Sequence, residues 1–344
     1  MLISIQFLRG IAALMVVITH ASHKGNQYNI NFFEGYHIGG SGVDLFFIIS
    51  GFIMCYTTHN KDISAYQFIK NRVQRIIPLY WLLSSLALIA YLIYPSLVNS
   101  SGGKTDVLAS FFLIPSENKF LIQNGWTLSY EFYYYFIFAL FIFITSTNFY
   151  RYSSISFMIL FLVTIGFIYK PSTPFLSFLT NNLLFEFLLG ILAFFIFKNN
   201  KLSYGYGLLS FLTGVFLLIF ININGDFNLS RSLVYGIPMF FVFIGFVSFE
   251  SILSQLKNPF FNSLGYLGDS SYSLYLAHPF FLSPTALILN KLGISNVYIF
   301  SSSLILGSII FGYCTYLYIE KPLLSLTKNN SFLRKYINIS FHKS

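Results

Sequence analysis

The sequence predicts an all-α fold, a polytopic transmembrane helical bundle. Two observations carry that expectation: charged residues make up only 9% of the chain, and runs of about 20 apolar residues, each long enough to cross a bilayer, recur along it. A soluble domain carries about 25% charged residues. So sparse a set cannot cover a water-facing surface, and most of this surface must meet something apolar. In hydrocarbon every backbone N–H and C=O must be paired internally, which leaves helices or closed barrels. The runs are continuous rather than alternating, and that pattern is helical.

About ten spans follow in order. The first, over 3–20, is apolar apart from a few residues, chiefly Arg9 and His20, and no small-residue cleavage site follows it, so it reads as a retained helix. The second, 39–58, opens on glycines and carries Asp44. The third, 77–98, begins where the basic stretch of Lys70, Arg72 and Arg75 gives way to apolar residues. The fourth, 125–145, opens on Gly125-Trp126; the fifth, 153–169, and the sixth, 175–197, flank a turn at Lys170-Pro171. The seventh, 204–223, and the eighth, 232–249, are uncharged and rich in aromatics. The ninth, 272–289, contains His278-Pro279, and the tenth, 297–319, stops at Glu320. Tyr, Trp and Lys at several ends fit interfacial anchors.

The net charge is +9, but the cations sit in short segments between apolar runs, which is a topology signal rather than a nucleic-acid surface. With the N-terminus in the cytoplasm, 13 Lys and Arg fall on inner segments against 6 on outer ones, the direction of the positive-inside rule. Both termini are then cytoplasmic, as an even number of spans requires. The segment 99–124 is the longest outer loop. The organisation expected is a membrane domain over 1–322 and a short basic cytoplasmic tail over 323–344, lying near anionic lipid. Cys55 and Cys314 both lie in apolar runs, with no spacing that suggests a disulfide framework or a metal site.

Ionisable groups inside spans are expensive and therefore mark function. Arg9 and His20 are 11 residues apart, which is three turns plus roughly 20°, so they share a helix face about 16 Å apart along the axis. Asp44 and Glu131 each fall near the outer start of a span, at the nominal depth of His20, where a carboxylate could orient an imidazole base. Glu186 sits within its span, away from any cap. His278 precedes Pro279, and its plainer role is a core histidine filling the gap that proline leaves in the helical ladder. Glu320 ends a helix, where the dipole disfavours an acid, and so calls for a partner. Arg72 and Arg75 set topology at least, and their geometry also suits phosphate. No GxSxG, HExxH, Walker or GxGxxG pattern is present.

Six ordered segments resemble the integral-membrane acyltransferase family 3. They are Ser4-Ile5-Gln6-Phe7-Leu8-Arg9-Gly10 through His20; Gly42-Val43-Asp44-Leu45-Phe46-Phe47; Arg72 to Pro78, similar to its basic arginine–proline loop; Gly125-Trp126-Thr127-Leu128-Ser129-Tyr130-Glu131; Leu267 to Pro279 with His278; and Glu320-Lys321-Pro322. Two departures stand out. Gln6 occupies the neighbourhood where many members have Leu-Asp, and Phe132 and Ala277 replace a second acid and a tryptophan. The Gln6 and Trp126–Glu131 variants look most like the exopolysaccharide-acetylating branch.

The resemblance implies an O-acetyltransferase of the bacterial inner membrane. Acetyl-CoA (acyl-CoA) would be the co-substrate, without a metal, and the acceptor a cell-surface glycan or lipid-linked sugar, with membrane lipids and other glycan-assembly proteins as neighbours and no nucleic acid. Arg9, Arg72 and Arg75 would hold the donor's phosphates. His20 would act as base, with Asp44 or Glu131 fixing its tautomer; His278, Glu186 and Glu320 are further candidates. A covalent acyl-histidine is an alternative chemistry. Two rival classes are a proton-coupled glycolipid transporter or flippase, in which the buried ionisable groups relay protons, and a non-catalytic scaffold.

Overall fold

Each of the ten apolar segments is helical in the computed structural model, which describes residues 2–33, 35–98, 102–199, 203–225, 227–256 and 258–328. The long helices are α1 (Ile3–Gln27), α2 (Gly42–Thr58), α3 (Ala65–Ile93), α4 (Gly125–Ile144), α5 (Asn148–Tyr169), α6 (Leu184–Lys198), α7 (Tyr204–Asn224), α8 (Ile237–Ser248), α9 (Pro259–Asp269), α10 (Ser271–Lys291) and α11 (Val297–Thr315). No strand occurs among the described residues. Eight of the described helices are long and apolar enough to cross a membrane, and the chain is a multi-pass membrane protein. Lys201, Lys257, Arg334, Lys335 and Lys343, counted above as inner cations, lie outside the described residues. The expected tail begins as a helix, Lys321–Lys328, and its remainder also lies outside them.

Side chains set several helix starts. Ser64, Ser203 and Asn258 each accept a hydrogen bond from a first-turn N–H of α3, α7 and α9, and Asn296 accepts two at the start of α11. Helix α1 has no such cap of its own. Instead Glu250 accepts from the Ile3 and Ser4 amides, both at 2.8 Å, pairing two orphan donors and opposing the positive end of the dipole.

The basic stretch expected as a loop is helical. The Ser64 cap starts α3 twelve residues before the expected span, and Pro78 sits inside the helix rather than at its start. Arg72, Arg75 and Ile76 therefore stand at i, i+3 and i+4, on one helix face. The sixth segment is split into Pro174–Leu179 and α6, and the eighth and tenth carry π-helical turns at Ser232–Gly236 and Tyr316–Glu320. Helix α9 was not expected. Its mixed polar and apolar face hides it from a search for continuous apolar runs.

Burial separates a core from a lipid-facing rim. Over Ile38–Thr58, which includes α2, 78% of the apolar window is buried, against 17% in α5. Small residues bring the core helices together backbone to backbone: a side chain at Gly51 would strike Phe187 and Gly190 of α6, and one at Gly268 would strike Gln6 of α1. Gln6 also donates to Asp269 Oδ1 at 2.5 Å and to Gly265 O at 3.2 Å. The residue that departs from the family pattern thus docks α9 against α1, beside Arg9.

Candidate active site

Two cavities enter the bundle from opposite ends. The first, about 430 Å³, is lined by Arg9, Lys61, Arg72 and Arg75 and extends past Phe46 and Ser50 to Thr127 and Tyr275. Among the described residues its only lining carboxylate is Glu131, which accepts from Ser50 Oγ at 3.3 Å and from the Tyr135 hydroxyl. Four cations against one acid among the described lining residues give the cavity a positive balance that would suit a polyanion. The Arg72 guanidinium lies 5.8 Å from the Phe68 ring and 5.9 Å from that of Tyr135, which fixes its plane. Arg9 sits in the field of Arg75, Glu320, Glu131 and Asp269. Glu320 does not end a helix as expected, since its π turn runs on into Lys321–Lys328, and its buried carboxylate accepts from Ser273 Oγ at 2.5 Å.

The second cavity, about 510 Å³, is lined by His20 together with Ser116, Asn118, Lys119, Gln123, Asn124, Trp126 and Tyr130. Hydroxyls, amides and aromatic faces suit a polyhydroxylated ligand. Thr127 and Tyr275, whose hydroxyls are 2.9 Å apart, line the first cavity, and both contact Asn124, which lines the second. The Tyr275 ring centre lies 6.4 Å from that of His278.

His20 is held by His278. His278 Nε2 is 3.0 Å from His20 Nδ1, and His278 Nδ1 is 2.9 Å from Leu274 O. A carbonyl can only accept, so His278 Nδ1 carries the proton. In the neutral ring Nε2 then accepts, and His20 Nδ1 must donate. This leaves the lone pair of a neutral His20 on Nε2, which takes no hydrogen bond among the described residues. The arrangement can remove a proton from a group in the second cavity and stabilise the resulting imidazolium at Nδ1.

The structure brings His20 and His278 together but not the carboxylates expected beside them. Asp44 is fully buried and held by a fork: Arg231 Nε donates to Oδ1 at 3.0 Å and Arg231 Nη2 to Oδ2 at 2.8 Å. Glu131 faces the first cavity. Neither orients His20, because sharing its nominal depth does not place a residue on the helix face turned toward it. Glu186 does not sit away from a helix end as expected: the split of the sixth segment puts it in the first turn of α6, fully buried in the field of Asp44 and Arg231. His278 is fully buried at the gap left by Pro279, its ring interacting with the backbone of Leu274 and Tyr275. It turns to Leu274 O, while the carbonyl freed by the proline, Tyr275 O, accepts from Asn124 Nδ2 at 2.8 Å. Sequence reasoning missed Arg231, which looked like a loop charge, and also Asn124 and Tyr275. A proline inside a span does signal that some donor must meet the freed carbonyl.

A family model described as an acyltransferase domain, Acyl_transf_3, matches residues 2–317. The chain belongs to the acyltransferase 3 family. It is an O-acyltransferase, which sets aside the transporter and scaffold readings. It is 31% identical over 321 residues to the exopolysaccharide production protein ExoZ of Rhizobium meliloti (strain 1021), covering 90% of this chain and 94% of that protein. No solved structure matches it.

Proposed function

We propose that this enzyme moves an acyl group, acetyl in the first instance, from acyl-CoA to a hydroxyl of an exopolysaccharide or its lipid-linked precursor at the bacterial cytoplasmic membrane. The observation that carries the reading is the pairing of a cation-lined cavity with a separate, polar cavity fronted by an oriented histidine. The similarity to ExoZ supports the acceptor class. The loop-charge bias supports cytoplasmic termini, with the Arg72–Arg75 end inside and His20 toward the outer face.

In this mechanism Arg72, Arg75, Lys61 and Arg9 hold the donor's phosphates, and the acyl-bearing arm follows the first cavity toward Tyr275. His20 Nε2 takes the proton of an acceptor hydroxyl as its oxygen attacks the thioester carbonyl. The tetrahedral intermediate collapses, the C–S bond breaks, and the imidazolium returns the proton to the departing thiolate. The products are the sugar ester and free thiol. The proton on His20 Nδ1 remains bonded to His278 throughout, so the ring keeps its direction. A proline-bent α10 and the Thr127–Tyr275 contact form the partition that the acyl group must pass.

The test is mass spectrometry of exopolysaccharide from a strain lacking the protein, with and without the restored gene. Loss of one acyl ester, returned on complementation, is expected. An unchanged ester content contradicts the proposed acceptor.

A further inference from the structure

Pro279 has no N–H, so the helical bond to the carbonyl four residues back cannot form. That carbonyl belongs to Tyr275, in a segment of α10 whose residues 273–278 are all buried. Buried carbonyls are almost always paired, and here the partner comes from another helix. Asn124 Nδ2 donates to Tyr275 O at 2.8 Å. Asn124 is 4% exposed, immediately precedes α4 and lines the cavity that His20 fronts. The contact is doubled one turn on, where Thr127 Oγ1 donates to Asn124 O at 2.9 Å and lies 2.9 Å from the Tyr275 hydroxyl. Three residues beyond Tyr275 is His278, the ring that holds His20.

We infer that Asn124 is a positioning residue for acyl transfer. By capping the carbonyl that Pro279 frees, it locks the histidine-bearing turn of α10 against the start of α4. The wall of the acceptor cavity and the His278–His20 pair then share one rigid joint. A carbonyl needs a donor opposite it, and a leucine of similar volume at 124 removes the amide N–H that Tyr275 O accepts from. The inference rests on the histidine reading above and adds the device that fixes it in place.

The proline makes a specific test available, because restoring an N–H at 279 should relieve the need for Asn124. The cycle comprises the parent, Asn124→Leu, Pro279→Ala and the double variant, purified in detergent and assayed for transfer from acetyl-CoA to acceptor glycan. Asn124→Leu should lower kcat by up to about 10²-fold, the scale of a reacting group misplaced by roughly 1 Å. The apparent KM for acetyl-CoA should stay at the parent value, since Asn124 does not line the donor cavity. On the Pro279→Ala background the same substitution should cost little. Equal losses on both backgrounds overturn the inference. If Pro279→Ala is itself inactive, the cycle is read on the apparent melting temperature: a smaller drop from Asn124→Leu on that background supports the joint, and equal drops overturn it. His20→Gln in the same assay separates the two ideas. Retained transfer there defeats the histidine reading, whereas lost transfer with additive Asn124 effects defeats only this inference.

Discussion

His278 Nε2 stands 3.0 Å from His20 Nδ1, joining residues 258 apart in sequence. Because neutral His278 gives its one ring N–H to Leu274 O, the contact has one direction: His20 donates and His278 accepts. His20 is thereby aimed at the polar cavity with its Nε2 as the base, and the orienting role expected of a carboxylate falls to a second imidazole.

Removing that orientation should slow transfer without abolishing it. His278→Ala frees the His20 ring to turn, and transfer should fall on the order of 10–10²-fold. The apparent KM for acyl-CoA should change little, because His278 does not line the donor cavity. Steady-state kinetics on purified protein checks this; transfer equal to the parent would make the histidine contact dispensable.

Much of this arrangement was legible in the sequence, and the reasons for the rest are specific. The spans follow from composition, and the 11-residue spacing of Arg9 and His20 places one toward each cavity. The partners of His20 were not legible, because hydropathy gives depth but not azimuth. Asp44 turns to Arg231, and Glu131 turns to Ser50 and Tyr135. The start of α3 was misplaced because the apolar run begins only after the basic stretch, while the Ser64 cap and the helix-forming residues after it carry the helix from Ala65 through Pro78.

The Asp44–Arg231 fork predicts a stability effect rather than a chemical one. Arg231→Ala leaves Asp44 buried without its cation. The cost should be on the order of 3 kcal/mol, the low end for breaking a buried pair, because the arginine side chain is 37% exposed. Melting temperature and membrane abundance should both drop, and Asp44→Asn combined with Arg231→Gln should recover part of the loss. A normally melting Arg231→Ala protein that has lost only transfer would return Asp44 to the chemistry.

Replacing Arg72 and Arg75 together by lysine keeps the charge that sets topology but removes the planar forks that suit phosphate. Apparent affinity for acyl-CoA should weaken about tenfold, the effect of roughly 1.4 kcal/mol, with insertion unchanged. An unaltered affinity would confine these residues to topology.

Tyr275→Phe removes only the hydroxyl that meets Thr127, the contact proposed above to part the two cavities. Loosening that contact should admit water to the donor side and raise acyl-CoA hydrolysis in the absence of acceptor. Release of free thiol measures it. A hydrolysis rate no higher than the parent's would show that the hydroxyl pair does not keep the cavities apart.

The central claim is that His20 Nε2 is the base, and His20→Gln tests it most directly. Glutamine can keep a hydrogen bond to His278 but cannot take a proton from the acceptor. A positioned base contributes typically 10²–10⁴-fold. The measurement is acyl content of the acceptor glycan, normalised to enzyme in the membrane. The account predicts a loss within that range with acyl-CoA binding intact. Transfer close to the parent's would contradict it.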